Sequence, residues 1–198
     1  MALQAPTQLP ADRPWPPPQG QWTYADYKQL PDDGWRYEVI EGELYMSPAP
    51  RPKHQESAGN LSGPLRQFVK ERGLGKVYYA PIDVILPGHA SPVQPDVLFI
   101  ARERLDIVKD EFIEGAPDLI VEILSPSNWL TDRRTKFRIY AQAGVREYWI
   151  VDTDARTVEI FVLRGGSFAL VGKFGPGETV RSEVVAGFEI GVAEICPA

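Results

Sequence analysis

The spacing of apolar and polar residues predicts a short helix and a hairpin near the start of the chain. Residues 35–47, WRYEVIEGELYMS, form two β-rich arms around Glu41-Gly42, a sequence typical of a tight turn. The preceding segment, TYADYKQLPDD, predicts a short helix that ends at Pro31. We therefore expect the folded part of the chain to begin near Trp22.

A longer helix is predicted over residues 54–72. Its apolar residues recur at helical spacing, and Gly73 follows as the expected end of the helix. These apolar residues are Leu61, Leu65, Phe68 and Val69. Gly63-Pro64 interrupts the pattern, because proline removes a helical hydrogen bond, and leaves open whether the helix is unbroken.

The middle of the chain predicts a group of strands. Residues 76–86, KVYYAPIDVIL, and residues 92–100, PVQPDVLFI, are interpreted as two strands joined by a PGHAS turn. A polar stretch at 101–116 separates them from residues 118–124, DLIVEIL. This nearly continuous apolar run is typical of a central strand that is covered on both faces.

A second helix and further strands are predicted after the central strand. The helix is capped by Asn128 or Thr131, runs to about Ala143 and stops at Gly144. The segments VREYWIVD and TVEIFVL then predict a hairpin around residues 153–156. The C-terminal part adds short strands in SFALVGKF and VAGFEIGV, with a PGE turn between them.

This order of elements predicts a mixed central β-sheet flanked by helices, an α/β or α+β domain. A length of 198 residues suits one domain. Residues 1–20 contain six prolines and little apolar periodicity. We therefore expect a flexible Pro-rich tail over residues 1–21 and a single domain over residues 22–198.

The composition bears on the cellular location of the protein and on the kind of metal ion that it could bind. No run of about 18 apolar residues could span a membrane, and the N-terminal segment lacks the features of a signal peptide, so a cytoplasmic location is expected. The single cysteine, Cys196, excludes an internal disulfide and a cysteine-based metal site. With only His54 and His89 besides, a metal ion would depend on oxygen ligands, which favours Mg²⁺, Mn²⁺ or Ca²⁺ over zinc.

The net charge of −6 argues against a nucleic-acid partner, but its distribution weakens that argument. Residues 51–76 contain six basic and two acidic residues, and residues 129–146 contain five basic residues and one acidic residue. Either segment can present a basic face to a phosphate backbone. The alternative is that both are ordinary solvated helix faces.

Two carboxylates stand in apolar strands, where an ionised group is costly unless it is paired or binds a metal ion. Asp96 lies in VQPDVLFI, and Glu122 lies between Val121 and Ile123. Converging from neighbouring strands, the two would provide hard oxygen ligands for Mg²⁺. The alternative for Glu122 is a structural pair with a nearby arginine.

Lys136 is the candidate cation beside this pair. On the second predicted helix, Asp132, Lys136 and Tyr140 share one face, and the short SPSNW connection brings that helix back beside the Glu122 strand. A cation there could orient a nucleophilic water and offset charge in a transition state. The spacing is equally consistent with a surface ion pair between Lys136 and Asp132.

Together these segments resemble the Uma2 family. The motifs are PDV at 95–97, PDLIVEILSPS at 117–127, D-x-x-x-K-x-x-x-Y at 132–140 and AGVREYWIVD at 143–152. The hairpin YEVIEGELYMSPAP followed by KHQ also fits, so the resemblance covers roughly residues 22–195. It implies the restriction-endonuclease-like fold and a place in the PD-(D/E)XK nuclease superfamily.

The resemblance implies a catalytic set of Asp96, Glu122 and Lys136, with Asp96 and Glu122 as metal ligands. Asp96 falls on the proline-aspartate motif and Glu122 on the acidic position. Two residues later, where the lysine of D/E-x-K belongs, stands Leu124. In the Uma2 branch the lysine is placed on the following helix, which matches Lys136.

The same resemblance suggests two accessory residues. Glu38 corresponds to a recurrent glutamate of the hairpin, and His54 stands where the family often has histidine, although packing or capping at the helix start would explain it equally well. A second Pro-Asp pair ends at Asp118, four residues before Glu122 and about 13 Å away along an extended strand. We interpret Asp118 as a strand-entry residue.

Two functions remain open. The first is an Mg²⁺- or Mn²⁺-dependent endonuclease that hydrolyses DNA phosphodiester bonds. The second is a module that retains the nuclease fold and binds nucleic acid or a partner without cutting. The sequence leaves the oligomeric state open, and a homodimer is compatible with it by analogy with nucleases of this fold and as the commonest assembly of soluble proteins.

Overall fold

The computed structural model of the chain describes residues 15–125 and 131–197, apart from the side chains of Thr131 and Asp132. Its α-helices are α1 (Tyr24–Tyr27), α2 (Pro52–Arg72), α3 (Phe137–Ala143) and α4 (Val192–Ile195). A 3-10 helix spans Arg102–Ile107 and a π-helical segment spans Thr131–Lys136. The strands are β1 (Arg36–Ile40), β2 (Glu43–Ser47), β3 (Gly75–Tyr79), β4 (Val84–Leu86), β5 (Ala90–Val93), β6 (Val97–Ala101), β7 (Ile113–Glu114), β8 (Leu119–Ile123), β9 (Glu147–Asp152), β10 (Thr157–Arg164), β11 (Ser167–Phe174), β12 (Thr179–Arg181) and β13 (Glu189–Gly191).

Two larger sheets organise the fold. The first has six strands in the order β11-β10-β9-β8-β6-β3, and the second has five in the order β2-β1-β5-β4-β7. In the six-stranded sheet only β8 and β9 run parallel, and α3 lies in the connection between them. The predicted class, a mixed β-sheet flanked by helices, is confirmed.

Each face of the six-stranded sheet covers its own hydrophobic core. On one face, Val121 and Trp149 pack with Leu61, Leu65 and other residues of α2. On the other face, Ile120 and Tyr148 pack with α3 and with the five-stranded sheet. All five residues of β8 are buried, as expected for the strand predicted to be covered on both sides.

The first hairpin and the long helix follow the sequence pattern closely. Glu41 and Gly42 both have positive φ, 52° and 79°, as a tight turn with two left-handed residues requires. Helix α2 is unbroken through Pro64 and ends at Gly73, which adopts the left-handed conformation. The buried face of α2 stabilises the helix enough to tolerate the hydrogen bond that Pro64 removes.

The prediction of two long strands in residues 76–100 was wrong. Each segment is divided between the two sheets: β3 and β6 pair in the six-stranded sheet, whereas β4 and β5 pair in the five-stranded sheet. Both chain segments leave one sheet and enter the other near Pro81 and Pro95. Proline has no N–H to donate, so it ends a ladder at these positions.

The second predicted helix is present but begins differently. Its described part starts with the π-helical segment, continues as α3 and ends at Gly144 with φ 91°. Asn128, one of its two predicted caps, lies outside the described residues, and so does the side chain of Thr131, the other predicted cap. The predicted hairpin at residues 153–156 is confirmed, since Asp152 pairs with Thr157.

Most of the predicted tail, namely residues 1–14, lies outside the described residues. From Trp15 onward the chain contacts the first hairpin. The side chain of Gln19 accepts a hydrogen bond from the Leu44 amide and donates one to the Leu44 carbonyl, at 2.7 and 3.0 Å. In the described part of the chain, no helix has the length and apolar character needed to cross a membrane.

Helix α1 is held to the five-stranded sheet by tyrosine hydroxyls that donate to Asp83. The Tyr27 hydroxyl lies 2.9 Å from one carboxylate oxygen and the Tyr24 hydroxyl lies 3.4 Å from the other. Partial burial and the charge of Asp83 raise the pKa of Tyr24 to about 12. This hydroxyl therefore titrates above the ordinary value of about 10 for tyrosine in an unfolded chain.

Alkaline pH should weaken the fold through Tyr24. Because its pKa is raised in the folded protein, its contribution to stability is complete below about pH 10 and is lost as the pH rises through about 12. The free energy of unfolding, measured from pH 8 upward, should therefore fall more steeply for the wild type than for Tyr24→Phe. Parallel curves for the two proteins would contradict this assignment.

Candidate active site

The acidic residues singled out from the sequence gather where the two sheets meet. Glu38 lies on β1 of the five-stranded sheet, Glu122 lies on β8 of the six-stranded sheet, and Asp96 directly precedes β6. The β6–β8 register pairs Val97 with Val121, so one further step places Asp96 opposite Glu122. Residues opposite each other in an antiparallel pair share a face. All three carboxylates are buried.

Asp96 is held by three donors from three different elements. Its Oδ1 accepts from Arg36 Nη1 of β1 at 2.9 Å. Its Oδ2 accepts from the Ile123 amide of β8 at 2.8 Å and lies 3.1 Å from His54 Nε2 of α2. The carboxylate is 3% exposed, so these contacts replace nearly all of its hydration. Its orientation is therefore determined by the fold.

Glu122 and Glu38 converge on the ammonium of Lys136. Lys136 Nζ lies 3.1 Å from Glu122 Oε1 and 2.9 Å from Glu38 Oε2. The lysine is 2% exposed, and its position on the helix after β8 is the one predicted from the D-x-x-x-K-x-x-x-Y spacing. Lys136 is thus part of a buried charge network that includes the two glutamates.

Tyr140, on the same helix as Lys136, also contacts Glu122. One turn beyond Lys136, its hydroxyl donates to Glu122 Oε1 at 2.6 Å. Burial, together with the charges of Glu122 and Glu38, holds the pKa of Tyr140 well above its ordinary value. The hydroxyl therefore stays protonated and remains a hydrogen-bond donor to the carboxylate.

The surroundings of Asp96 favour its ionised form. Burial alone would raise the pKa of this carboxyl, but the hydrogen bond and charge of His54, the charge of Arg36 and the Ile123 amide together lower it. Asp96 is thus an anion in the folded protein. The network contains three carboxylates, and Arg36, Lys136 and His54 are their basic partners.

Two members of this network were not among the predicted site residues. Arg36 precedes Glu38 by two positions on β1, so the alternation of side chains along a strand places both on the same face. Tyr140 follows Lys136 by four positions, which places both on one helix face. The spacing contained both signals, but neither residue type marks a nuclease site by itself.

Asp118 has a structural role, in agreement with its interpretation as a strand-entry residue. It lies just before β8 and is fully buried. Its carboxylate accepts from the Ala101 amide at 2.9 Å, from Arg104 at 2.8 Å and from Arg146 at 3.2 Å. These contacts connect β6, β8 and β9 at the end of the sheet away from Glu122.

A cavity of about 340 Å³ gives access to the Asp96 side of the network. It lies against the N-terminal half of α2, and its walls include Arg36, His54 and Asp96 together with Arg66 and Tyr79. The cavity therefore presents the Asp96 carboxylate to a ligand from the side of α2.

The donors fit a hard divalent cation in their chemistry. Carboxylate oxygens of Asp96, Glu122 and Glu38 are the ligands that Mg²⁺ and Mn²⁺ prefer. The arrangement is nevertheless that of an ion-pair network: within residues 15–125 and 131–197, no three Asp, Glu, His or Cys side chains are grouped as a metal site. Lys136 instead lies between the two glutamates.

The chain is similar to known proteins in sequence and in fold. The profile of the Uma2 family, described as "Putative restriction endonuclease", matches residues 24–193. Among solved structures, the chain is similar to a "putative nuclease belonging to DUF820" from Anabaena variabilis, with a TM-score of 0.72 and 20% sequence identity. That match covers 88% of this chain and 97% of the other. A search of curated proteins found no match.

At this level of identity the solved structure supports the fold, whereas the family profile extends over most of the sequence, including every residue of the Asp96–Glu122–Lys136 network. The chain therefore belongs to the Uma2 family.

Proposed function

We propose that the protein is a Mg²⁺- or Mn²⁺-dependent endonuclease that hydrolyses phosphodiester bonds of DNA, with Asp96, Glu122 and Lys136 as its catalytic residues. One observation carries the proposal: the Lys136 ammonium lies 3.1 Å from the strand carboxylate of Glu122, although the lysine belongs to a different element. A lysine beside a strand glutamate, with a proline-aspartate on the neighbouring strand, reproduces the residue types of a PD-(D/E)XK site.

Lys136 would act through its charge and its N–H donors. An ammonium with little exposure to solvent interacts strongly with developing negative charge, because the surrounding dielectric is low. It can orient the attacking water and offset the charge that builds up on a phosphoryl oxygen. Glu38 and Glu122 hold it in place from two different sheets.

Asp96 and Glu122 would hold the divalent ion, with Glu38 as an accessory acid. When bound, such an ion acidifies a water molecule and polarises the phosphoryl oxygen. Arg36, His54 and the Ile123 amide keep the Asp96 carboxylate in one orientation. His54 thereby acts as a positioning residue for Asp96.

Cleavage of covalently closed circular DNA, offered in single-stranded and in duplex form, tests the proposal. A circle has no ends, so its cleavage requires an endonuclease. We expect the wild type to cut in Mg²⁺ or Mn²⁺, and Glu122→Gln to lower the rate at least about 100-fold, because it removes a metal ligand and a partner of Lys136.

Glu189→Gln is the matched control, since it makes the same chemical change at an exposed residue of β13 and should cleave at the wild-type rate. Circular dichroism should show that all three proteins are folded. Equal rates for Glu122→Gln and the wild type would disprove the assignment of Glu122.

A second candidate function is a module that binds nucleic acid without cutting it. The observation in its favour is that the protein's own cations already engage the acidic side chains. This candidate requires that folded wild-type protein bind DNA and leave circles intact in Mg²⁺, Mn²⁺ and Ca²⁺. Cleavage in any of these ions excludes it.

A further inference from the structure

A second, larger groove adjoins the cavity beside Asp96. It encloses about 690 Å³ along the C-terminal half of α2 and the neighbouring strand β3. Arg66 and Tyr79 line both spaces, so the groove leads directly into the active-site cavity. A long ligand held in the groove would therefore have one end near Asp96.

The charged residues that line the groove are all basic. Arg66 and Lys70 come from α2, Lys76 comes from β3, and Arg102 follows β6. All four side chains are exposed, and no carboxylate lines the groove. Within the described ranges, none of the four lies within 4.0 Å of a carboxylate oxygen.

This concentration is unusual for a chain with a net charge of −6. In the other basic segment of the sequence, Arg133 is paired with Glu159, Arg138 with Glu41, and Arg146 with Asp118. That segment therefore offers a much less cationic surface than its composition indicated. Unpaired cations that share one groove are suited to a ligand that carries several negative charges in a row.

An exposed aromatic ring lies at the junction of the two spaces. Tyr79 is the last residue of β3 and is 54% exposed, which is high for a large side chain next to a cavity. Its hydroxyl has no hydrogen-bond partner among the described residues, so other contacts do not explain its position. A ring of this kind can stack on an unpaired base, but not on a base inside a duplex.

We propose that this groove binds a single-stranded segment of nucleic acid that leads into the active site. Phosphates would contact Arg66, Lys70, Lys76 and Arg102, and a base next to the site would stack on Tyr79. The inference rests on the proposed nuclease function and adds a substrate class to it: DNA that is single-stranded on the side of α2 and β3.

The test measures binding in EDTA, so that no cleavage occurs. A fluorescent single-stranded oligothymidylate is titrated with the full chain, and a hairpin duplex of the same length serves as the second probe. We expect the single strand to bind more tightly. We expect Lys70→Glu and Lys76→Glu to weaken that binding by about tenfold each, and to reduce the dependence of log Kd on log salt by about 0.7 per lost phosphate contact.

Arg164→Glu is the matched control for these two variants. It changes the net charge by the same amount at an exposed residue of β10, at the opposite side of the six-stranded sheet from β3. It should bind the oligonucleotide as the wild type does. Equal weakening by Arg164→Glu would show a non-specific charge effect and overturn the assignment of the groove.

Tyr79 is tested separately. Tyr79→Ala should weaken binding of the single strand by between about 5-fold and 150-fold, whereas Tyr79→Phe retains the ring and should bind like the wild type. Equal binding by Tyr79→Ala, or tighter binding of the duplex by the wild type, would overturn the single-stranded assignment. Because these assays contain no metal ion, failure of the groove and failure of DNA cleavage can be told apart.

Discussion

Replacing Lys136 with methionine is expected to lower the free energy of unfolding by about 3–5 kcal/mol. The reason is that Lys136 Nζ lies 2.9 Å from Glu38 and 3.1 Å from Glu122, and that all three side chains are buried. Without the ammonium, two carboxylates would face each other with little solvent. Urea unfolding followed by circular dichroism measures the loss.

Lys173→Met is the matched control, because Lys173 is half exposed and pairs with Glu159 at 3.1 Å. Its expected cost is below about 1 kcal/mol. Adding Glu38→Gln to Lys136→Met should recover part of the lost stability, since one of the facing charges is then removed. A cost for Lys136→Met as small as that of the control would show that the network contributes little to the fold.

Trp149→Ala is expected to cost about 3–5 kcal/mol as well, for a different reason. Trp149 is fully buried on β9 and fills the core between the six-stranded sheet and α2. Its indole N–H also donates to Glu147 at 2.6 Å, so the substitution opens a cavity and removes a donor from a buried carboxylate. The thermal unfolding midpoint should fall by several degrees or more.

Trp35→Ala provides the comparison for this variant. Trp35 is 48% exposed and precedes β1, so its removal should change stability by no more than about 0.5 kcal/mol. Equal destabilisation by both substitutions would mean that the midpoint reports a general effect of losing tryptophan. It would then not report the packing around Trp149.

Local patterns predicted the elements whose signals lie within a few residues. The Glu41-Gly42 turn, the end of α2 at Gly73 and the buried strand around Glu122 all depend on short-range preferences of the backbone. The division of residues 76–100 between two sheets does not depend on such short-range preferences. An apolar strand is compatible with either sheet, and only the complete fold determines where it changes partners.

The candidate site shows the same difference between local and long-range signals. Lys136 could be assigned because a helix returns beside the strand of Glu122, and spacing along that helix fixes its face. Strand alternation places Arg36 on the same face as Glu38, but its contact with Asp96 could not be assigned, because that contact joins residues 60 positions apart through tertiary packing. The spacing alone was also consistent with a surface position for Lys136, and the structure shows that this side chain is buried; the side chain of Asp132, its alternative partner, lies outside the described part of the chain.

The passage of two chain segments from one sheet to the other has a mechanical consequence. Glu38 belongs to one sheet and Glu122 to the other, and two separate sheets would be free to slide and change the gap between these carboxylates. Here short connections join the sheets between β3 and β4 and between β5 and β6, and the second of these contains Asp96 itself. Relative motion of the sheets is thereby restrained next to the proposed catalytic residues, which gives the candidate site the rigid support that a catalytic geometry would require.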